Sequence, residues 1–376
     1  MRLGIIMGMH LNVPEFQLSD REAREHRNRV WWTAYIFDRM WASRLGQPVS
    51  IQDDDVEVDL PSSDGLAGTY SGDFGDPEYL IANIRLAKLA GHIITSIYAR
   101  RRQQGAFSQR VQQALRDLRN WVKDLPNRLQ LDTDEPSQTA PNLIVSLHLS
   151  FNQCVVLATR PVLLQVLRTY RESWSKPPSD PRPQIPESAL ALAETCIRCA
   201  RHSYRLLTEA WIDGSFATFS YFNTQYLFSA ATILAISSLL NDRDSQSDAD
   251  DFEAAAQLLG QLEQNGNFAA KEFCRHIDAM KVSMNTIPGR RDEDGSDPRG
   301  IYPAMTTPRM LGAIQDTGLP YAGSMVTAGM ALAEPSLQEF LSQPDFNLQF
   351  MDTPIYDDAL QSLYWPELPT EGWMAG

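Results

Sequence analysis

The stretch RVWWTAYIFDR, Arg29 to Arg39, sets two adjacent tryptophans, a tyrosine and a phenylalanine between charged ends. Wound at about 100° per residue, Trp31, Tyr35 and Asp38 fall within about 60° of one another, with Trp32 and Arg39 beside them. Val30, Ala34, Phe37 and Trp41 line the neighbouring sector. Apolar surface over most of the circumference predicts a helix enclosed by other helices. A carboxylate inside that stripe is costly unless paired. Asp38 is therefore expected to meet Arg39, Arg29 or a backbone group of a neighbouring helix. The aromatics read as core.

Helix punctuation recurs along the chain, and strand periodicity is nearly absent, so the expected fold class is all-α. Ser19 and Glu22 fit a capping box opening a helix to about Leu45. Gly46 fits the left-handed cap position and Pro48 prevents continuation. Val56, Val58 and Leu60 then alternate with acids up to Pro61, which reads as an extended segment. Asp76-Pro77 is a strong start for a helix from Glu78 to about Gln103. Another begins near Ser108, with Val111, Leu115, Leu118, Val122 and Leu125 at helical spacing. A long apolar helix from Pro141 to Leu167 contains Pro161 as an expected kink. Helices follow over about Glu187–Trp211 and Phe216–Leu240. NDRDSQSDADD reads as a solvated acidic connector, with two shorter helices between Phe252 and Met284.

Beyond Pro288 the chain turns polar and glycine-rich, and neither lysine nor arginine occurs after Arg309. The expected organisation is one helical domain over 1–288 and a disordered linker and acidic, aromatic tail over 289–376.

The formal charge of −14 repels phosphate backbones and argues against nucleic-acid binding by these residues. Four cysteines, Cys154, Cys196, Cys199 and Cys274, are too few and scattered for a disulfide framework and point to a reducing compartment. MRLGIIMGMH is too short for a secretory signal. The longest apolar run, Tyr226 to Leu240, falls short of a bilayer span, so no membrane partner is expected.

Several patterns imitate chemistry. Cys196-x-x-Cys199 with His202 has no second ligand pair, which favours buried small hydrophobes over zinc. DDDVE (Asp53 to Glu57) fits the acidic motif of class I terpene synthases, helical enzymes that chelate magnesium around a diphosphate. Asn241 to Ala249 nearly fits their second motif, with Ala249 where the last ligand belongs. A metal-dependent enzyme of that kind is the alternative reading. ARRRQ (Ala99 to Gln103) fits a charged helix end better than an import patch. His10, His148, His202 and His276 lack triad-like company, and no catalytic, cofactor or metal residue is assigned.

Arg29, Trp31, Trp32, Tyr35, Asp38, Arg39, Gly46, Pro48 and the Leu60-Pro61 pair, preceded by LGIIMGMH, carry a resemblance. Their order resembles the signature of the fungal-specific transcription factor domain, the helical regulatory region of fungal zinc-binuclear-cluster regulators. Gln47 stands where that family commonly has arginine. LIVSLHLSFNQCVVLATRPVL, with His148, Arg160 and Pro161, is similar to a later helix of the family. CIRCARHSYRLL, FATFSYFNTQYLFSAATIL and GNFAAKEFCRHI resemble its closing helices. The likeness covers roughly Met1 to Met284 and begins mid-domain, so the chain is expected to be the C-terminal part of a regulator, whether a fragment, a truncated gene model or a shortened paralogue.

The resemblance implies transcription regulation in the nucleus, by an activator without enzymatic activity. It implies transcription coactivators, a small-molecule effector and a homodimer as candidate partners. Zinc and DNA contact would belong to the family's six-cysteine module, which four cysteines at these spacings cannot build. In the tail, Phe340, Phe346, Phe350, Tyr356, Tyr364, Trp365 and Trp373 alternate with acids, the composition of an activation segment.

Overall fold

The computed structural model describes residues 1–64, 74–98, 105–131, 142–174, 185–240, 244–285, 332 and 335–342. Among these the regular structure is helical, without strands. The chain divides into two compact units. The described residues up to 158, with 332 and 335–342, fall in the first, and the described residues of 159–285 in the second. The boundary falls inside one 33-residue helix, Asn142–Trp174. At 1.5 Å per residue that helix is about 50 Å long, more than one small core can cover.

The first unit opens with the short helix α1 (Arg2–Ile6) and the long helix α2 (Arg21–Leu45). Asp20, rather than Ser19, caps α2: its carboxylate accepts from the backbone N–H groups of Glu22 at 3.0 Å and Ala23 at 3.4 Å. Gly46 ends the helix at φ 60°, the left-handed geometry that glycine adopts without penalty. Helix α3 (Pro77–Ile97) starts as the sequence predicts, with Asp76 accepting from Glu78 N–H at 2.9 Å and proline at the first position. Helix α4 (Phe107–Lys123) buries Val111, Leu115 and Leu118 completely. Helix α5 (Asn142–Trp174) enters this unit with its first half, where Phe151 stacks on Trp121 with ring centres 5.3 Å apart. Pro161 lies within α5 rather than ending it.

The second unit holds α6 (Glu187–Ile212), α7 (Tyr221–Ser237), α8 (Ser245–Gln264) and α9 (Phe268–Asn285). Helix α7 is apolar on every side and packs against α6, α8 and α9, so it is the centre of this core. It begins five residues later than Phe216, capped by Ser220. Phe216 instead packs edge-on against Trp211. Asn267 caps α9 through Ala270 N–H, and its amide also donates to Thr218 O and Thr224 Oγ1. The expected acidic connector is mostly helix: α8 starts at Ser245, and Asp248 is 1% exposed. Arg201 explains the difference, because its guanidinium holds both Asp248 oxygens at 2.7 Å.

A further departure lies in the tail. Pro335–Ser342 is a helix, α10, packed on α4 in the first unit. Leu337, Phe340 and Leu341 fall at i, i+3 and i+4 on one face and are buried together with Leu332. Phe340 is therefore a packed residue and leaves the set of candidate solvated aromatics. Phe346, Phe350, Tyr356, Tyr364, Trp365 and Trp373 lie outside the described residues.

Helices α3 and α5 are long and apolar enough to cross a bilayer, a match the apolar-run reading missed. Their apolar faces, however, are packed: Ile84, Leu86 and Ile93 of α3 and Leu147, Phe151 and Val155 of α5 are all buried among helices.

Candidate functional site

Helix α2 contributes the densest polar network of the first unit, and Arg39 is its hub. The Arg39 side chain is 2% exposed. Its Nη1 meets Asp38 Oδ2 at 2.7 Å, while Nη2 donates to the Ile51 carbonyl at 2.7 Å and to Asp53 Oδ1 at 2.6 Å. The guanidinium also lies over the Tyr35 ring, 4.1 Å from its centre. Tyr35 Oη donates to the same Asp53 oxygen. Asp38 accepts from Ser50 N–H at 3.0 Å and from the Ser50 hydroxyl. A buried guanidinium needs such a set, since each unsatisfied donor would be expensive.

Together these bonds pin the 50–55 turn onto α2. Trp32 continues the seam: its indole N–H donates to the Asp59 carbonyl at 2.8 Å. The ring packs at a right angle to Tyr35 among Ile51, Val58, Ile84 and Ala87. Trp31 is 1% exposed and meets His10 of the N-terminal segment, ring centres 5.8 Å apart. Arg27 reaches back to the Leu11 and Gly8 carbonyls. Arg29 pairs with Glu25 at 2.5 Å, donates to the Gly75 carbonyl at 2.6 Å and lies over Phe74. Glu25 in turn accepts from Ser62 N–H at 3.1 Å. The signature residues Arg29, Trp31, Trp32, Tyr35, Asp38 and Arg39 are thus one clamp, while Gly46 and Pro48 turn the chain and Pro61 is buried at the clamp's far end.

Electrostatics follows the geometry. Burial alone would raise the Asp53 carboxyl, but hydrogen bonds from His92, Tyr35 and Arg39 outweigh it and hold the group well below the usual range. His92 Nε2 lies 3.5 Å from Asp53 Oδ2, and that contact raises the imidazole above its ordinary value against the smaller effect of burial. Tyr35 is pushed up, mainly by burial. Asp53 is therefore fully engaged by protein groups, and Asp54, Asp55 and Glu57 point to solvent on the turn beside it. Among the described residues no group of three or more His, Cys, Asp or Glu is placed to hold a metal ion. The arrangement needed for magnesium-diphosphate chemistry is not built here. Cys196 and Cys199 are both fully buried on α6, and burial pushes the Cys196 thiol up to about 12. His148 is buried, with Nε2 at 2.9 Å from the Leu129 carbonyl, and burial lowers its pKa, so it is a neutral donor.

Two clamp residues escaped the sequence reading. His92 carries no motif. Gly91 does leave a signal, because glycine inside an apolar helix costs about 1 kcal/mol and needs a reason. Here a Cβ would lie 3.2 Å from Arg39 Cδ and Nε, so glycine makes room for the hub. Gly91→Ala is accordingly expected to destabilise by about 1–2 kcal/mol in urea titration, despite alanine's better helix propensity. A gain in stability would mean the Arg39 stem has space to move.

The opposite face of α2 is not enclosed. Val30, Phe37 and Trp41 are 44%, 45% and 38% exposed. The expected all-round burial thus fails on this side, where an open groove of about 870 Å³ runs along Val30, Ala34, Phe37 and Phe74, with His26 and Arg29 at its polar edge.

Comparison with known proteins finds likeness over this clamp. Residues 1–130 match the profile described as the fungal specific transcription factor domain. The chain is 25% identical over 260 residues to an uncharacterized transcriptional regulatory protein, C3C7.04, of Schizosaccharomyces pombe, covering 69% of this chain and 31% of that one. It is 30% identical over 244 residues to Protein STB5 of Saccharomyces cerevisiae, covering 60% and 30%. It is 26% identical over 259 residues to an ABC-transporter-regulating transcription factor of Aspergillus oryzae, covering 66% and 28%. The chain spans less than a third of the length of these curated relatives. No solved structure matches it. The whole clamp, from His10 to His92, falls inside the residues that match the fungal specific transcription factor domain profile.

Proposed function

We propose that these 376 residues are the regulatory part of a fungal transcription factor of the zinc-cluster type, acting in the nucleus without enzymatic activity. The observation that carries this reading is the match over residues 1–130, with likeness to a transcriptional regulatory protein and a transcription factor continuing over 66–69% of the chain. The clamp supports it chemically. Its ionisable groups are spent on one another and on backbone groups, which suits a scaffold that transmits a conformational state and leaves little for a reaction. DNA contact and zinc binding belong to a six-cysteine module that the four cysteines present cannot form. A small effector would find room in the open groove along α2, where Val30, Ala34, Phe37 and Phe74 supply apolar surface and His26 a polar edge. Coactivators would read the acidic, aromatic residues beyond Ser342.

That last element gives the test. Residues 334–376 fused to a heterologous DNA-binding domain are expected to activate a reporter. Replacing Phe346, Phe350, Tyr356, Tyr364, Trp365 and Trp373 with alanine is expected to remove most of that activity. A silent fusion, or one indifferent to the aromatics, would overturn the activator reading.

A further inference from the structure

Helix α10 is held by α4 in a way that its apolar face alone does not require. Gln112, itself buried, donates from Nε2 to the Phe340 carbonyl at 2.6 Å. Arg116 donates from Nε and Nη2 to the Leu341 carbonyl at 2.9 and 2.7 Å. Arg119 donates to the side-chain oxygen of Gln338, whose own amide donates to the Leu332 carbonyl at 2.5 Å. The Phe340 and Leu341 carbonyls belong to the last turn of the helix, where carbonyls are met by groups from outside it. They also form the negative end of its dipole, where a guanidinium is favoured.

An isolated eight-residue helix is unstable in water. The α10 conformation is therefore conferred by the surface it sits on. That surface combines an apolar seat for Leu337, Phe340 and Leu341 with polar groups that cap carbonyls without reading side-chain identity. Helix-in-groove recognition uses these two elements. The partners are also remote in sequence, Arg116 and Leu341 being 225 residues apart. Closing such a long loop costs little more than closing a moderate one, so docking within the chain is favoured by effective concentration.

We propose that the α4 face bearing Gln112, Arg116 and Arg119 is a receptor groove for a short amphipathic helix, and that its occupant is this chain's own 332–342 segment, docked reversibly. The groove accepts an apolar triplet at i, i+3 and i+4 followed by free helix-terminal carbonyls. The inference stands on the α4–α10 contacts and is independent of whether the tail activates transcription.

The test uses the full chain with a protease recognition sequence inserted at Gly300 and then cleaved. At micromolar concentration the C-terminal fragment is expected to co-elute with the body in gel filtration, and to separate on dilution. Arg116→Glu should weaken this association about 10- to 100-fold, the loss expected for charged hydrogen bonds. Lys123→Glu, an equal charge change at an exposed position of the same helix, should leave it unchanged. Leu337→Asp, which alters only the released fragment and leaves the body's sequence intact, should abolish it. A wild-type fragment that elutes alone at every concentration, that never separates, or that binds the Arg116→Glu body as tightly as wild type would overturn the proposal.

Discussion

Arg39→Ala is expected to lower the unfolding free energy of the first unit by about 3–5 kcal/mol, the range for breaking a buried ion pair by removing one partner. Arg39 donates to Asp38, Asp53 and the Ile51 carbonyl, and it covers the Tyr35 ring. Alanine withdraws all of these at once. It also leaves a void beside Gly91, where nothing larger than hydrogen fills the gap from α3. Asp38→Ala should be milder, about 1–3 kcal/mol, because Arg39 keeps Asp53 and the Ile51 carbonyl, while its Nη1 and the Ser50 donors lose their acceptor. Arg39→Lys should not rescue the arginine, since an ammonium cannot reach three acceptors in different directions. Urea unfolding with hydrogen exchange to localise the loss would measure each. Melting of Arg39→Ala at the wild-type midpoint would show that the hub carries no stability.

The second large effect belongs to the other unit. Asp248→Ala is expected to cost about 2–4 kcal/mol, somewhat below a fully buried pair because the Arg201 side chain is 21% exposed and reaches water. Arg201 binds both Asp248 oxygens, and Ser237 donates its hydroxyl to the same carboxylate, so one aspartate ties α6, α7 and α8 together. After its removal Arg201 retains Asp244 at 3.1 Å, on the more exposed side. The loss should appear in exchange from α6 to α8 and leave the α2 clamp protected. Equal deprotection of both would contradict the division into two units.

Asp248 also shows where sequence reading runs out. NDRDSQSDADD is polar throughout, and its charges read as solvated because the compensating guanidinium lies 47 residues away on another helix. Periodicity reports which face of a helix is apolar, but it does not report which remote partner neutralises a charge. For the same reason the expected partner of Asp38 was narrowed only to a short set that included Arg39, the residue that does bind it. What local physics controls was readable: the all-α class, the Asp76-Pro77 start, the Gly46 stop, and the burial of Trp31, Trp32 and Tyr35. What depends on tertiary placement was not. Val30 and Phe37 are apolar yet border an open groove, Trp41 is 38% exposed, and Phe340 reads as a solvated tail aromatic in the sequence although α4 supplies its seat.

Gly91 and His92 illustrate a middle case. Gly91 was detectable as an anomaly in a helix, although its meaning required knowing that Arg39 passes against it. His92 had no local signal because its partner, Asp53, sits on a turn held by another element.

The aromatic and ionic residues of α2 form an interior clamp fixing the 50–62 segment. A double-mutant cycle between Arg39→Ala and Asp53→Ala measures it most directly. The account predicts a coupling of about 1.5–3 kcal/mol, as expected for a charged hydrogen bond in a shielded site. Additive effects of the two substitutions, with coupling near zero, would contradict it.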